Sequence, residues 1–295
     1  MLEHAQADAI VAVDRLTGGW TSAMHAVTVR KGRTEHPLVL RRMFREPWKS
    51  HAVGLLEREA DILRLLAQSP VPTAEFVAVD ASAEVTDEPA LLMGRLPGGL
   101  RLDGRDRREV VPELARMLAT IHAVRPPDHQ RPRAYQSWAP RERRVIPLWA
   151  HQPDLWSHAF SLIEAEPPGF RGCFLHRDFH PGNVLFDGPS ISGVVDWVET
   201  SWGPADLDVA HCCTGLAVLH GSNAVEQFID GYRAAGGELA QDPDERAYWQ
   251  LIDAVGFLPD PGKIARPWRE SGRSDLTPQR ARMRLEAHIG WILAG

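Results

Sequence analysis

The run His176-Arg177-Asp178-Phe179-His180-Pro181-Gly182-Asn183 constrains this chain more than any other stretch, because short apolar segments press on it from both sides. Gly172-Cys173-Phe174-Leu175, Val184-Leu185-Phe186 and Ile191-Ser192-Gly193-Val194-Val195 read as short buried strands. Asp187-Gly188-Pro189-Ser190 supplies the turn between the last two. Asp178 and Asn183 therefore fall on the loop that enters a hairpin, and Asp196, just ahead of Trp197, falls at its exit. Pro181-Gly182 forces the tight bend that brings Asp178 and Asn183 to one cleft.

These side chains suit the handling of a phosphoryl group. A hydroxyl attacks phosphorus only when held in line, with somewhere for its proton to go, and a carboxylate such as Asp178 is the minimum equipment. Magnesium prefers oxygen ligands, which an Asn183 amide and an Asp196 carboxylate would provide. The same loop admits another reading, with His176, Asp178 and His180 as an H-x-D-x-H metal cluster, although no further His or Cys set of zinc spacing accompanies it.

The pattern H-x-D-x-x-x-x-N followed by Asp-Trp resembles the catalytic loop of the aminoglycoside phosphotransferase and choline kinase superfamily, where protein kinases carry Asp-Phe-Gly. The resemblance implies an α+β, two-lobed, protein-kinase-like fold: a small antiparallel-sheet N-terminal lobe over 1–96 and a larger, mainly helical C-terminal lobe over 97–295. It implies ATP and Mg2+ as cofactors, Asp178 as catalytic carboxylate, and Asn183 and Asp196 as magnesium ligands, with His176 and Asp208 in support.

The N-terminal part reads as such a lobe. Ile10 to Leu16 and His25 to Arg30 are strand candidates joined by Thr17-Gly18-Gly19-Trp20-Thr21-Ser22, where Gly18 and Gly19 would let backbone N–H groups approach phosphate or would simply close a hairpin. In Pro37 to Met43, alternation sends Arg41 and Arg42 to opposite faces, so one of them should look into the cleft. The following helix, Val53 to Gln68, has an apolar stripe of Leu55, Ile62, Leu63 and Leu66 with Glu59 in its midst. A carboxylate buried there would cost several kcal/mol unpaired, so a cation on the neighbouring strand is the economical partner. The resemblance implies that this pair is Arg41 with Glu59 and that Arg41 reaches the ATP phosphates. It departs from the kinase pattern in carrying Arg where Lys is usual, and a planar fork is not equivalent to a point charge. Ala90 to Leu96 runs into Pro97-Gly98-Gly99, and the resemblance makes this a hinge with the backbone of Gly94, Arg95 and Leu96 facing adenine.

The rest of the chain narrows the alternatives. At 295 residues it can bury a full core, and a net charge of -6 with no basic stripe argues against nucleic acid as partner. No apolar run approaches a membrane span, and the N-terminus carries acids and no signal-peptide core, so the cytoplasm is the default expectation. Cys173, Cys212 and Cys213 read as reduced core residues. Glu199, Asp206, Asp208, Glu226, Asp230, Glu238, Asp242, Asp244, Glu245, Asp253 and Asp260 face only Arg233 and Arg246 in the same stretch. A cleft lined by part of that excess would draw in a cationic substrate, whereas solvated helix faces would account for most of it without one.

Helices are predicted over Asp106 to Val124, Asp154 to Ile163, Asp208 to Leu219, Ala224 to Ala235, Asp244 to Val255 and Thr277 to Leu293, the last with Thr277 as N-cap and Pro278 at its first position. Proline-rich stretches from Arg125 to Pro147 and from Gly256 to Asp275 read as connections or lids. The pattern Gly203-Pro204-Ala205-Asp206-Leu207-Asp208-Val209-Ala210 follows Asp196 too soon for a peptide-binding platform, so the expected partner is a small hydroxylated acceptor. The resemblance makes Asp208 a support for the catalytic loop; as a carboxylate opening a helix it would also serve simply as a cap. Aminoglycoside-like or amino-sugar acceptors fit the resemblance, with choline, macrolides and homoserine as other family acceptors. A catalytically silent nucleotide-binding regulator is the opposing expectation.

Overall fold

The computed structural model describes residues 5–16, 22–101 and 107–295. The chain forms two compact units, Met1–Gly98 with Ser192–Thr200, and Gly99–Ile191 with Ser201–Gly295.

The first unit is built on a five-stranded antiparallel sheet in the order β1-β2-β3-β5-β4, with strands β1 (Ala9–Leu16), β2 (Ala23–Lys31), β3 (Thr34–Arg42), β4 (Phe76–Asp80) and β5 (Ala90–Gly94). Val27, Val29, Leu38 and Leu92 form a buried cluster in this sheet, as the alternation of apolar residues requires. β1 lies at the sheet's edge and is mostly exposed.

Helix α1 (Ala52–Leu66) buries Leu56, Glu59, Ala60, Ile62, Leu63 and Leu66. The stripe thus starts from Leu56, where the sequence suggested Leu55, and Glu59 still lies within it. β4 was not anticipated: Phe-Val-Ala-Val-Asp is half-buried at every position and shows no alternation to mark it.

The segment Ser192–Thr200 joins this unit through several bonds. Val194 N–H donates to the Pro72 carbonyl at 2.8 Å, and the indole N–H of Trp197 donates to the Val194 carbonyl at 3.0 Å. Gly193 lies so close to Leu96 that a Cβ there would meet Leu96 Cδ1 at 2.5 Å.

The second unit is mainly helical. The short strand β6 (Gly99–Leu100) pairs antiparallel with β8 (Val184–Asp187), and β7 (Gly172–Leu175) pairs with β10 (Ser201–Pro204). β9 (Ser190–Val194) carries the chain back towards the first unit. Among the described residues the helices are α2 (Arg107–His122), α3 (Pro153–Leu162), α4 (Ala205–His220), α5 (Ser222–Ala234), α6 (Pro243–Gly256), α7 (Gly262–Glu270) and α8 (Pro278–Leu293).

α4 is buried along nearly its whole length and forms the centre of the unit, with free Cys212 and Cys213 enclosed. α8 starts as expected, the Thr277 hydroxyl accepting from Arg280 N–H at 3.1 Å with Pro278 beside it.

Two sequence expectations need correction here, and one element was not anticipated. α4 begins at Ala205 after Pro204, so Asp208 lies inside the first turn and does not cap the helix. α7 occupies part of the stretch from Gly256 to Asp275 that read as a connection, and its burial of Ala265 and Trp268 on one face outweighs Pro267. β10 was also unforeseen, because Gly203 and Pro204 punctuate a strand of only four residues.

Candidate active site

In the first unit, the side chains form an ion-pair chain. Arg41 Nη1 donates to both carboxylate oxygens of Glu59, at 2.9 and 2.7 Å, and Nη1 and Nη2 each donate to Asp196 Oδ1 at 3.1 Å. Arg41 Nε donates to the Ser22 hydroxyl at 3.1 Å. The cation that Glu59 requires is therefore Arg41, whereas Arg42 is partly exposed and lies 3.9 Å from Glu88. Burial alone would make Arg41 easier to deprotonate; Asp196 and then Glu59 outweigh it and hold the guanidinium charged. Burial pushes the Glu59 carboxyl up, and Arg41 pulls it back.

Asp196 has φ of 66°, in the left-handed region that a non-glycine residue seldom occupies. Its side chain is 38 % exposed, and with Oδ1 on Arg41 its second oxygen is left for another partner. Gly94 N–H and Arg95 N–H are taken by the carbonyls of Glu75 and Pro37, at 2.8 and 3.0 Å. Two of the backbone N–H groups at the three expected hinge residues are thus engaged within the first unit. Gly18 and Gly19 lie outside the described residues.

In the second unit, the loop is fixed from beneath. Asp208, fully buried, accepts His176 N–H on Oδ2 and Arg177 N–H on Oδ1, both at 2.7 Å. His122 Nε2 lies 3.2 Å from Oδ2, and its Nδ1 lies 2.7 Å from the Tyr232 hydroxyl. Burial would raise the Asp208 carboxyl, but His122, His176 and Arg177 together hold it below its ordinary value. This anchoring lets Arg177 keep φ of 72°.

Asp178 follows. Its N–H donates to His176 Nδ1 at 3.2 Å, and its Oδ2 accepts the Asn183 amide N–H at 3.1 Å. Asn183 Nδ2 also donates to the Asp178 carbonyl at 2.9 Å, which leaves the amide oxygen as the atom able to take a cation. The loop wraps round the His180 ring, whose Nδ1 accepts Gly182 N–H at 3.0 Å, and a Cβ on Gly182 would stand 2.6 Å from that ring.

Two residues of the Asp178 cluster were missed in the sequence. His211 Nε2 lies 3.0 Å from Asp178 Oδ1, and His211 Nδ1 lies 3.0 Å from Asp253 Oδ1. Burial would raise the Asp178 carboxyl, yet the charges of His180 and His211, the His211 hydrogen bond and His176 hold it well below the usual carboxylate range. The signals were present: His211 stands one turn after Asp208, and Asp253 is a lone carboxylate in the apolar run Leu251 to Val255. The H-x-D-x-H reading fails, since among the described residues no group of three or more His, Cys, Asp or Glu side chains is arranged to hold a metal ion.

The sequence matches the phosphotransferase enzyme family over residues 13–249. The chain belongs to this family. Among solved structures, this phosphotransferase is similar to aminoglycoside phosphotransferase APH(4)-Ia, at 17% identity and TM-score 0.61, covering 98% of this chain and 96% of that one. Macrolide 2'-phosphotransferase MphH from Brachybacterium faecium matches at 15% identity and TM-score 0.60, covering 96% and 95%. A thermostable mutant of APH(4)-Ia, in ternary complex with AMP-PNP and hygromycin B, matches at 17% identity and TM-score 0.60, covering 95% and 94%. No curated protein sequence matches the chain. The shared fold is α+β, with an antiparallel-sheet N-terminal unit and a helical C-terminal unit, as the sequence predicts.

Five of the acids named in the sequence have structural uses in the phosphotransferase's C-terminal unit. Asp206 accepts from Ala240 N–H, Asp208 from the loop and Asp253 from His211. Asp242 caps α6, and Glu238 pairs with Arg171. A cavity of about 40 Å3 lined by Tyr135, Trp138, Arg177, Tyr248, Trp249 and Asp253 is far smaller than the several hundred Å3 of a ligand pocket. Among the described residues no helix is long and apolar enough to cross a membrane.

Proposed function

We propose that this phosphotransferase is an ATP- and Mg2+-dependent O-phosphotransferase that moves the γ-phosphoryl group to a hydroxyl of a small molecule, with aminoglycoside or amino-sugar acceptors favoured. The observation that carries the reading is Asp178: an ionised carboxylate on an anchored loop, one oxygen bonded by His211 and the other by Asn183.

Asp178 orients the acceptor hydroxyl. The hydroxyl oxygen bonds to the γ-phosphorus, the bond to the β,γ-bridging oxygen breaks, and ADP leaves with that electron pair. The hydroxyl proton passes to Asp178 or directly to a phosphoryl oxygen, since a loose transition state asks little deprotonation of the nucleophile. Arg41 offers its guanidinium to the phosphates, with Glu59 fixing its rotamer.

Each donor, taken by itself, has the chemistry that magnesium takes. The Asn183 amide oxygen and Asp196 Oδ2 are hard oxygen ligands left over by the hydrogen bonds around them. A magnesium ion held by these two groups would supply positive charge against the phosphates during transfer. The backbone at Gly94, Arg95 and Leu96 is assigned to adenine, and Gly18 and Gly19 to phosphate, on the family resemblance. Binding of hygromycin B and AMP-PNP by a structural neighbour supports an aminoglycoside acceptor and an adenine nucleotide. A macrolide-phosphorylating neighbour of the same fold keeps a macrolide acceptor as a second reading.

The test is ATP turnover with wild type and Asp178→Asn against a panel of aminoglycosides, macrolides, choline and homoserine, at fixed magnesium. Phosphorylated product from wild type alone supports the proposal. Nucleotide binding with no product from any acceptor sinks it in favour of a silent regulator.

A further inference from the structure

We propose that His211 and Asp253 are positioning residues for phosphoryl transfer: Asp253 fixes a doubly protonated imidazole at His211, and that cation locks the rotamer of Asp178. The inference rests on the reading of Asp178 as the carboxylate that orients the acceptor.

Both ring nitrogens of His211 lie 3.0 Å from a carboxylate oxygen, Nε2 from Asp178 Oδ1 and Nδ1 from Asp253 Oδ1. A neutral imidazole has one N–H and one lone pair, so it would set that lone pair against one of the two carboxylates. Only the imidazolium donates to both. Asp253 is 3% exposed and His211 4%, so a missing proton would leave a buried negative charge facing a lone pair.

The dyad has no freedom to swing. Asp253 Oδ2 accepts the Thr214 hydroxyl at 2.8 Å, so α4 and α6 together fix the carboxylate. Phe257 stacks on the imidazole at 5.4 Å and 23°, and Trp138 meets it edge-on at 5.3 Å and 80°. Arg177 stacks on Trp138 at 4.2 Å and donates to the Gln136 carbonyl, which ties that indole to the loop. With Oδ1 held by His211 and Oδ2 by Asn183, the carboxylate plane of Asp178 is set before any acceptor arrives.

Further titratable groups face the same carboxylates. His180, on the loop, lies 5.9 Å from the His211 ring. Lys263 of α7 and His288 of α8 act on Asp253 through charge, and Lys263 also acts on Asp178. Burial alone would lower the His211 imidazole, but the Asp253 charge, the two hydrogen bonds and Asp178 push it up to about 10.

The experiment uses the full chain. Side-chain 15N–1H spectra of wild type at pH 8, with His211 assigned by its loss in His211→Gln, should show protons on both ring nitrogens. In Asp253→Asn the second proton should be lost near neutral pH. In kinetics, His211→Ala should lower kcat about 10²-fold while KM for ATP changes by no more than about twofold, because misplacement of a reacting group affects the transition state. His211→Gln, which can still donate one N–H to Asp178, should recover part of that loss. A singly protonated His211 in wild type at pH 8 overturns the proposal, as does unchanged kcat in a His211→Ala protein with a normal thermal transition. Should His211→Ala fail to fold, the wild-type and Asp253→Asn spectra decide. If wild type phosphorylates no acceptor, the role of Asp178 fails on that result, while the spectra decide the protonation of His211 separately.

Discussion

Glu59 has both carboxylate oxygens on a single nitrogen of Arg41, with the two side chains 2% and 6% exposed. A pair this deeply buried adds little net stability over an apolar pair, yet removing one partner strands a charge. What the pair provides is a guanidinium held in one place.

Arg41→Met should therefore destabilise the protein by about 3–5 kcal/mol at pH 7, measured by urea unfolding. The loss should be smaller at pH 5, because burial already pushes the Glu59 carboxyl up and the stranded group would take a proton. The double variant Arg41→Met with Glu59→Leu should recover much of the stability while remaining deficient in ATP binding. Normal nucleotide affinity in the double variant would remove Arg41 from the phosphate site.

Asp208 satisfies two backbone N–H groups and faces a histidine, all buried. Asp208→Asn keeps one acceptor oxygen and turns an amide N–H towards a backbone donor. The expected cost is about 2–4 kcal/mol, with turnover reduced and calorimetric ATP affinity retained. Equal losses of ATP affinity and turnover would mean that the loop is not what Asp208 holds.

His211 makes stability depend on pH. Its folded value of about 10 stands above the ordinary 6.5, so the folded state binds the proton more tightly. That contribution is complete below pH 6.5 and is lost as pH rises through about 10. Thermal melts should show wild-type Tm falling between pH 7 and 10 more steeply than that of His211→Gln. Parallel curves would contradict the cation.

His288 works in the opposite sense. It is 2% exposed, stacks on Trp291 and has no hydrogen-bond partner on either nitrogen among the described residues. Burial lowers it to about 4 despite the charge of Asp253, so stability is lost as pH falls from 6.5 through about 4. His288→Phe should raise stability by about 1 kcal/mol at pH 8 if the ring fits. The gain should grow at pH 5, and denaturation at both pH values checks it.

What the sequence disclosed follows from how local each determinant is. The loop and its flanking strands were legible because eight consecutive residues and a four-residue turn leave the backbone few alternatives. Glu59 was legible because a carboxylate inside a helical stripe is a local anomaly. Alternation placed Arg41 and Arg42 on opposite faces without saying which face was inward; burial against α1 decides that, and it is a tertiary fact. The same limit hid Asp253 and His211, which are separated by 42 residues and become partners only when α4 meets α6. β4 and β10 escaped because each is short and rests on strand pairing that no local pattern announces, and α7 because the prolines in and around it, Pro267 among them, masked its one-sided burial of Ala265 and Trp268.

The excursion of Ser192–Thr200 into the first unit has a consequence for dissecting the molecule. Arg41 receives one of its two counter-charges from polypeptide made 155 residues later, so a fragment ending at Gly98 would carry the guanidinium without Asp196. Such a fragment would also lack the strand end that bonds Pro72. No single scission can therefore yield the first unit intact; expressing it alone would require splicing the later segment back on through a new linker.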